Sequence, residues 1–266
     1  MKKICFLDSS TGWIVGARGT FLNINLDSTW QVKYFEGIEA DMTSLTFQGD
    51  NLGWAVSAVV GVVEEGRVFK TSDGGKTWSQ IYIFNKDLYD VKFVSEDVGW
   101  VVGFGIISKT TDGGLSWNDQ LSDPMARFYT CYFADSLKGW AAGYVGSEVY
   151  HTEDGGITWN RQSLNPAGTY YSITFSDSNN GWIAGRTVNN YLYASLYRST
   201  DGGSSWFEYQ MTGTALNTIF FINDSVGWIS QGSNILKTSN GGNSWFTISS
   251  LGSSIDHIFF ANPAKG

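Results

Sequence analysis

The sequence predicts an all-β chain built from one four-stranded unit repeated several times, and three observations carry that prediction. A Gly-Trp dipeptide recurs at intervals of 40 to 46 residues, with its tryptophan at Trp13, Trp54, Trp100, Trp140, Trp182 and Trp228. A second tryptophan follows each Gly-Trp pair, at Trp30, Trp78, Trp117, Trp159, Trp206 and Trp245, and from Trp78 onward it closes a stretch with a Gly-Gly pair. The chain also holds 32 glycines against 3 prolines, and 16% of it is aromatic, a balance that favours short strands and tight turns.

Each unit reads as four strands, A to D. Strand A carries a phenylalanine seven residues before the tryptophan of the Gly-Trp pair: Phe6, Phe47, Phe93, Phe133, Phe175 and Phe221. Two residues earlier stand Ile4, Leu45, Val91, Cys131, Ile173 and Ile219, and a period of two puts both sets on one buried face. Strand B is the Gly-Trp strand, strand C leads into the glycine-rich box, and strand D leaves it from the second tryptophan. Length varies between Gly-Trp and box, where a B–C loop lies.

Four strands per repeat of this length is the pattern of a β-propeller blade. The expectation is a single propeller over 1–266, with six complete four-stranded antiparallel blades at about 1–35, 42–83, 88–121, 128–164, 170–210 and 216–250. A partial seventh blade, one innermost strand, is expected over 255–266, where Ile258 and Phe260 repeat the strand-A pattern. Both ends cut the repeat at arbitrary points, so a fragment of a longer parent is expected.

The box itself is "KTSDGGKTW" at 70–78, repeated as "KTTDGGLSW" at 109–117, "HTEDGGITW" at 151–159, "RSTDGGSSW" at 198–206 and "KTSNGGNSW" at 237–245, with a worn copy, "LNINLDSTW", at 22–30. A short aspartate accepts backbone N–H bonds a few residues on, and the glycines supply positive φ. Catalysis does not need five acids, and Asn240 replaces the aspartate in the last copy. A calcium loop of the EF-hand type would need alternating carboxylates ending in glutamate. Asp73, Asp112, Asp154, Asp201 and Asn240, with Trp78, Trp117, Trp159, Trp206 and Trp245, are therefore structural residues, and no metal or cofactor is expected.

The Thr71-x-Asp73-x-Gly75-x-Thr77-Trp78 pattern resembles the Asp-box, or bacterial neuraminidase repeat. Paired with the Gly-Trp strand, it most resembles propellers related to the photosystem II stability and assembly factor, and the resemblance runs over essentially the whole chain. It implies a non-enzymatic propeller that binds a protein, with the box as the hairpin turn between strands C and D. Such relatives present an arginine-rich patch, to which only Arg18, Arg127 and Arg186 could contribute here. Sialidases share the box, but their pattern needs three converging arginines, and this chain has six in all, with Arg161 and Arg198 near boxes. A glycosidase with two facing carboxylates is the alternative reading.

The strand order places the boxes on one face and the variable loops on the other. That variable face is expected to gather Arg18, Glu64, Glu65, Tyr89, Arg127, Tyr129, Tyr144, Tyr170, Arg186 and Tyr191 as a binding surface, since tyrosine and arginine are common anchors of protein interfaces. Long B–C hairpins, "SAVVGVVEEGRVF" and "RTVNNYLYASLY", rise from the second and fifth units. The isolated His151 and His257 read as surface strand residues, and Cys5 and Cys131 as neither a disulfide nor a metal pair.

A net charge of −8 argues against nucleic acid, whose affinity rests on basic residues neutralising phosphates. Apolar runs fall well short of the roughly 20 residues that cross a bilayer. "MKKICFL" imitates the start of a signal peptide, but Asp8 breaks it and no export signal is read in this chain. The expected partner is protein, with glycan as the alternative, in an extracellular, periplasmic or surface-attached parent.

Overall fold

The computed structural model describes residues 2–7, 11–25, 29–34, 40–59, 64–144, 148–187 and 193–259. Among them it is all-β. The first sheet is β1 (Lys3–Phe6), β2 (Thr11–Val15), β3 (Thr20–Asn25) and β4 (Thr29–Tyr34), and the second β5 (Asp41–Gln48), β6 (Leu52–Ala58), β7 (Gly66–Thr71) and β8 (Ser79–Phe84). Then come β9 (Leu88–Phe93), β10 (Gly99–Thr110), β11 (Asn118–Phe133), β12 (Gly139–Tyr144), β13 (Glu148–Thr152) and β14 (Asn160–Ser163) in one six-stranded sheet. The last two sheets are β15 (Gly168–Phe175), β16 (Gly181–Thr187), β17 (Ala194–Ser199) and β18 (Phe207–Glu208), then β19 (Leu216–Phe221), β20 (Gly227–Gln231), β21 (Asn234–Thr238) and β22 (Phe246–Ser250). Within every sheet the strands follow chain order.

The architecture is a β-propeller of five blades, which corrects the expected six complete blades and seventh strand. The third and fourth sequence repeats share one sheet because two connections vanish into strands. β10 runs unbroken through what should be strands B and C, kinking at Gly105 (φ 70°) with a register shift beside it. β11 continues from strand D of one repeat into strand A of the next. At the other end, residues 254–259 form no strand; the Ile255 N–H donates to the Gly232 carbonyl at 2.9 Å, and Ile258 is buried. Phe260 lies outside the described residues.

The seven-residue spacing of phenylalanine and tryptophan has a direct cause. In each antiparallel A–B pair the phenylalanine sits opposite the glycine before the tryptophan: Phe6 with Gly12, Phe47 with Gly53, Phe93 with Gly99, Phe175 with Gly181 and Phe221 with Gly227. The ring lies over the glycine so closely that a Cβ on Gly99 would stand 2.6 Å from Phe93. A side chain there would have to displace a buried aromatic.

Two compact units emerge, Met1–Gly139 with Thr152–Trp159, and Trp140–His151 with Asn160–Gly266. In the first, Trp54, Val56, Val68, Leu88, Val91, Phe93 and Val101 form a core between successive sheets. In the second, Trp182, Leu196, Leu216, Ile219, Phe221 and Ile229 do the same. His151 is not the surface residue the sequence suggested: it is 6% exposed and stacks on Trp140 with centroids 4.7 Å apart. His257 is half-buried.

The boxes are five copies of one hydrogen-bonded turn. Thr71 Oγ1 donates to Asp73 Oδ1 at 2.8 Å and accepts the Gly75 N–H at 2.9 Å. Asp73 then accepts the Thr77 N–H at 2.9 Å and the Thr77 hydroxyl at 2.6 Å. The pattern recurs at Asp112, Asp154 and Asp201. Asn240 keeps it without charge: its Oδ1 accepts the Ser244 N–H at 3.0 Å and its amide donates to the Ser244 hydroxyl at 2.9 Å. The A–B turn lies beside the box, since the Gly74 N–H donates to the Asn51 carbonyl at 2.9 Å.

Candidate partner-binding face

In the first unit, the loops opposite the boxes assemble a cluster of charges and aromatics. The turn between β8 and β9 delivers Lys86 and Asp87. The kink in β10 delivers Phe104, whose N–H donates to the Asp87 carbonyl at 2.8 Å. Only glycine fits before it: a Cβ on Gly103 would stand 2.0 Å from that carbonyl oxygen. Arg127 on β11 is the register partner of Phe104, and its guanidinium carbon lies 4.6 Å from the ring centre. Lys86 Nζ approaches the same ring at 5.3 Å. Cations over an aromatic face are attracted by its quadrupole.

Carboxylates complete the cluster. Lys86 pairs with Glu64 at 3.2 Å, and Arg67 with Glu65 at 2.7 Å. Asp87 Oδ1 accepts the Val59 N–H at 3.2 Å, tying the residue that follows β6 to this turn. Burial, reinforced by the Glu64 charge, holds the Asp87 carboxyl above its usual range. Tyr89 and Tyr129 lie with ring centres 5.4 Å apart. Burial, then the Asp87 charge, pushes the Tyr89 phenol up to about 12, so it stays a neutral hydrogen-bonding group. Among the described residues no carboxylate pairs with Arg127.

The sequence-predicted residues Glu64, Glu65, Tyr89, Arg127 and Tyr129 therefore come together here. Arg18 stands exposed on a separate turn, at a left-handed φ of 53°, its N–H donating to Asp41 Oδ1 at 3.1 Å. In the second unit, Tyr144 is 45% exposed, and the Arg186 guanidinium lies 5.8 Å from the Tyr171 ring centre. Tyr170 departs from expectation: it is fully buried, packed edge-on against Tyr197, and burial pushes its phenol up. Tyr191 lies outside the described residues.

Lys86, Asp87, Phe104 and the 82% exposed Met125 were not anticipated. Phe104 did have a signal. A large aromatic between two glycines, Gly103 and Gly105, marks a strand bending to present a side chain.

Residues 82–169 match the family model described as photosynthesis system II assembly factor YCF48. No curated protein matches the sequence significantly. Among solved structures, YCF48 bound to a D1 peptide is similar at TM-score 0.72 and 20% identity, covering 92% of this chain and 79% of that one. YCF48 from Cyanidioschyzon merolae gives 0.74 and 18%, covering 94% and 86%. A Niastella koreensis GH74 enzyme gives 0.75 and 13%, but only 44% of its chain is covered. The chain is thus a β-propeller similar in fold to the YCF48 assembly factors and, over residues 82–169, similar to them in sequence pattern.

Proposed function

We propose that this protein is a non-enzymatic, assembly-factor-like β-propeller that binds a protein partner through the face built by Glu64, Lys86, Tyr89, Phe104, Arg127 and Tyr129. The observation that carries the reading is Arg127, half-buried, stacked on Phe104 and paired with no carboxylate among the described residues. Such a guanidinium is pre-ordered to receive an acidic group from a partner, and the two tyrosines offer contact area at low entropic cost. The YCF48 structure with a D1 peptide supports a peptide-like ligand. On the same reading the turns are Asp-boxes of the neuraminidase-repeat type with a purely structural task, and the propeller serves in a longer exported or surface protein. Locating the native protein in cell fractions tests that last part.

The binding test selects displayed peptides on the immobilised protein. Selected peptides should bind the Arg127→Ala variant at least about tenfold more weakly. The exposed Arg161→Ala variant, which loses a pair with Glu148 and a stacking contact on Tyr150 away from this face, should bind them normally. Equal binding by the Arg127 variant overturns the reading. The glycosidase alternative rests on Asp87 with Glu64 beside it; turnover of a β-glucan or sialoside that disappears in Asp87→Asn would bring it forward.

A further inference from the structure

Three side chains of β11 stand in one row on the partner-binding face. Ala126, Phe128 and Thr130 are buried, while Met125, Arg127 and Tyr129 alternate with them on the opposite side of the strand. Neighbouring members of that row are roughly 6.5 Å apart along the chain. Arg127 lies on Phe104, and Tyr129 lies beside Tyr89. Met125, by contrast, is the most exposed large apolar side chain among the described residues.

That exposure is built into the strand. Phe104 pairs with Arg127 and Ile106 with Ser122, so residues 123–126 bulge out against Gly105 alone. The bulge is braced at both ends. The Met125 N–H donates to Asp123 Oδ1 at 3.1 Å, and Ala126 is packed inward. Gly105 passes so close that a Cβ on it would stand 2.9 Å from the Asp123 carbonyl oxygen. A bulge of this kind re-aims a side chain. Here it holds an unbranched thioether in solvent, one step along the row from a guanidinium that pairs with no carboxylate among the described residues. Methionine adapts to apolar groups of varied shape.

We propose that Met125 sets the sequence preference of this face, selecting an extended segment of a partner protein with an apolar residue two positions from the acidic residue that Arg127 receives. The proposal rests on the Arg127 reading and adds to it the apolar contact and its spacing. In an extended segment alternate side chains share one side at the same step as the row on β11. One residue can then meet Met125 while the carboxylate meets Arg127. On the other side of Arg127, the charges of Asp87 and Glu64 act on Tyr89 and would repel a second carboxylate there. The selected segment is therefore apolar, spacer, acidic, with no further acid two places beyond.

The test selects random peptides displayed on phage against the intact protein, then titrates the enriched sequences as labelled synthetic peptides by fluorescence anisotropy. An aliphatic or aromatic residue should recur two positions from the acid. Met125→Ser should weaken these peptides about tenfold, and Met125→Leu should bind them as the native protein does. A peptide with serine at the apolar position should bind the native protein and Met125→Ser alike. Met125 lies in solvent, so equal thermal unfolding of the variants will show that the fold is intact. Peptides that need Arg127 yet bind Met125→Ser as tightly as the native protein overturn this inference and leave the Arg127 reading standing. So does an apolar residue enriched at any other spacing. Peptides indifferent to Arg127→Ala, or no enrichment at all, overturn both.

Discussion

The indole Nε1 of Trp54 donates to the carbonyl oxygen of Gly113 at 2.9 Å, so the tryptophan of one repeat closes the box of the next. Trp13 makes the same bond to Gly74, again at 2.9 Å. Trp54 is fully buried and stacks on Phe93 with ring centres 3.6 Å apart. Replacing it with phenylalanine removes the bond and leaves a small void. Trp54→Phe should cost about 1–3 kcal/mol, read from the midpoint of urea unfolding.

The box should discriminate between chemically close substitutions. Thr71→Val removes the buried hydroxyl that accepts the Gly75 N–H, and should cost about 1–2 kcal/mol. Asp73→Asn should be nearly neutral, because Asn240 already holds the same turn through its amide oxygen. Asp73→Ala should lose about 1 kcal/mol, as a lost helix cap does. Equal unfolding midpoints for Asn and Ala at position 73 would contradict this ordering.

Four box carboxylates share one acid response. Hydrogen bonds from the hydroxyl and N–H of the residue four places on lower Asp73, Asp112, Asp154 and Asp201 to about 2. Each value is depressed from an ordinary one near 4, so the contribution is present above about pH 4 and is lost as pH falls through 2. Asp201 is exposed and the other three are partly so, and solvent screens each effect. Denaturant midpoints should fall between pH 4 and 2, and fall less steeply once all four aspartates are changed to asparagine.

Gly99→Ala should destabilise the protein by roughly 1–3 kcal/mol although it adds a single methyl group. The new Cβ meets the Phe93 ring, which is fully buried and cannot swing away. The paired variant Gly99→Ala with Phe93→Leu should recover part of the loss in a double-mutant cycle.

Much of this was legible because the repeat writes its contacts at fixed distances. Phe93, Gly99 and Trp100 are near in sequence and meet across one hairpin, so periodicity alone could place them. The strand boundaries at Gly103–Gly105 were not legible. Short connections there let β10 pass straight through, and a β-rich linker reads like a strand. Tyr170 looked like an interface anchor because exposure cannot be read from residue type, and its burial depends on Tyr197 in a different strand. Phe104, Lys86 and Arg127 come from three segments joined only by the fold.

The Asn240 box carries a wider consequence. Its turn has the geometry of the four charged copies, so the architecture accepts a neutral amide in place of the carboxylate at that position. Surface potential on the box side can then drift, one repeat at a time, without disturbing the hydrogen bonds beneath. Such a chain can retune its solubility and its long-range attraction for partners by single-codon exchanges that leave the scaffold unchanged.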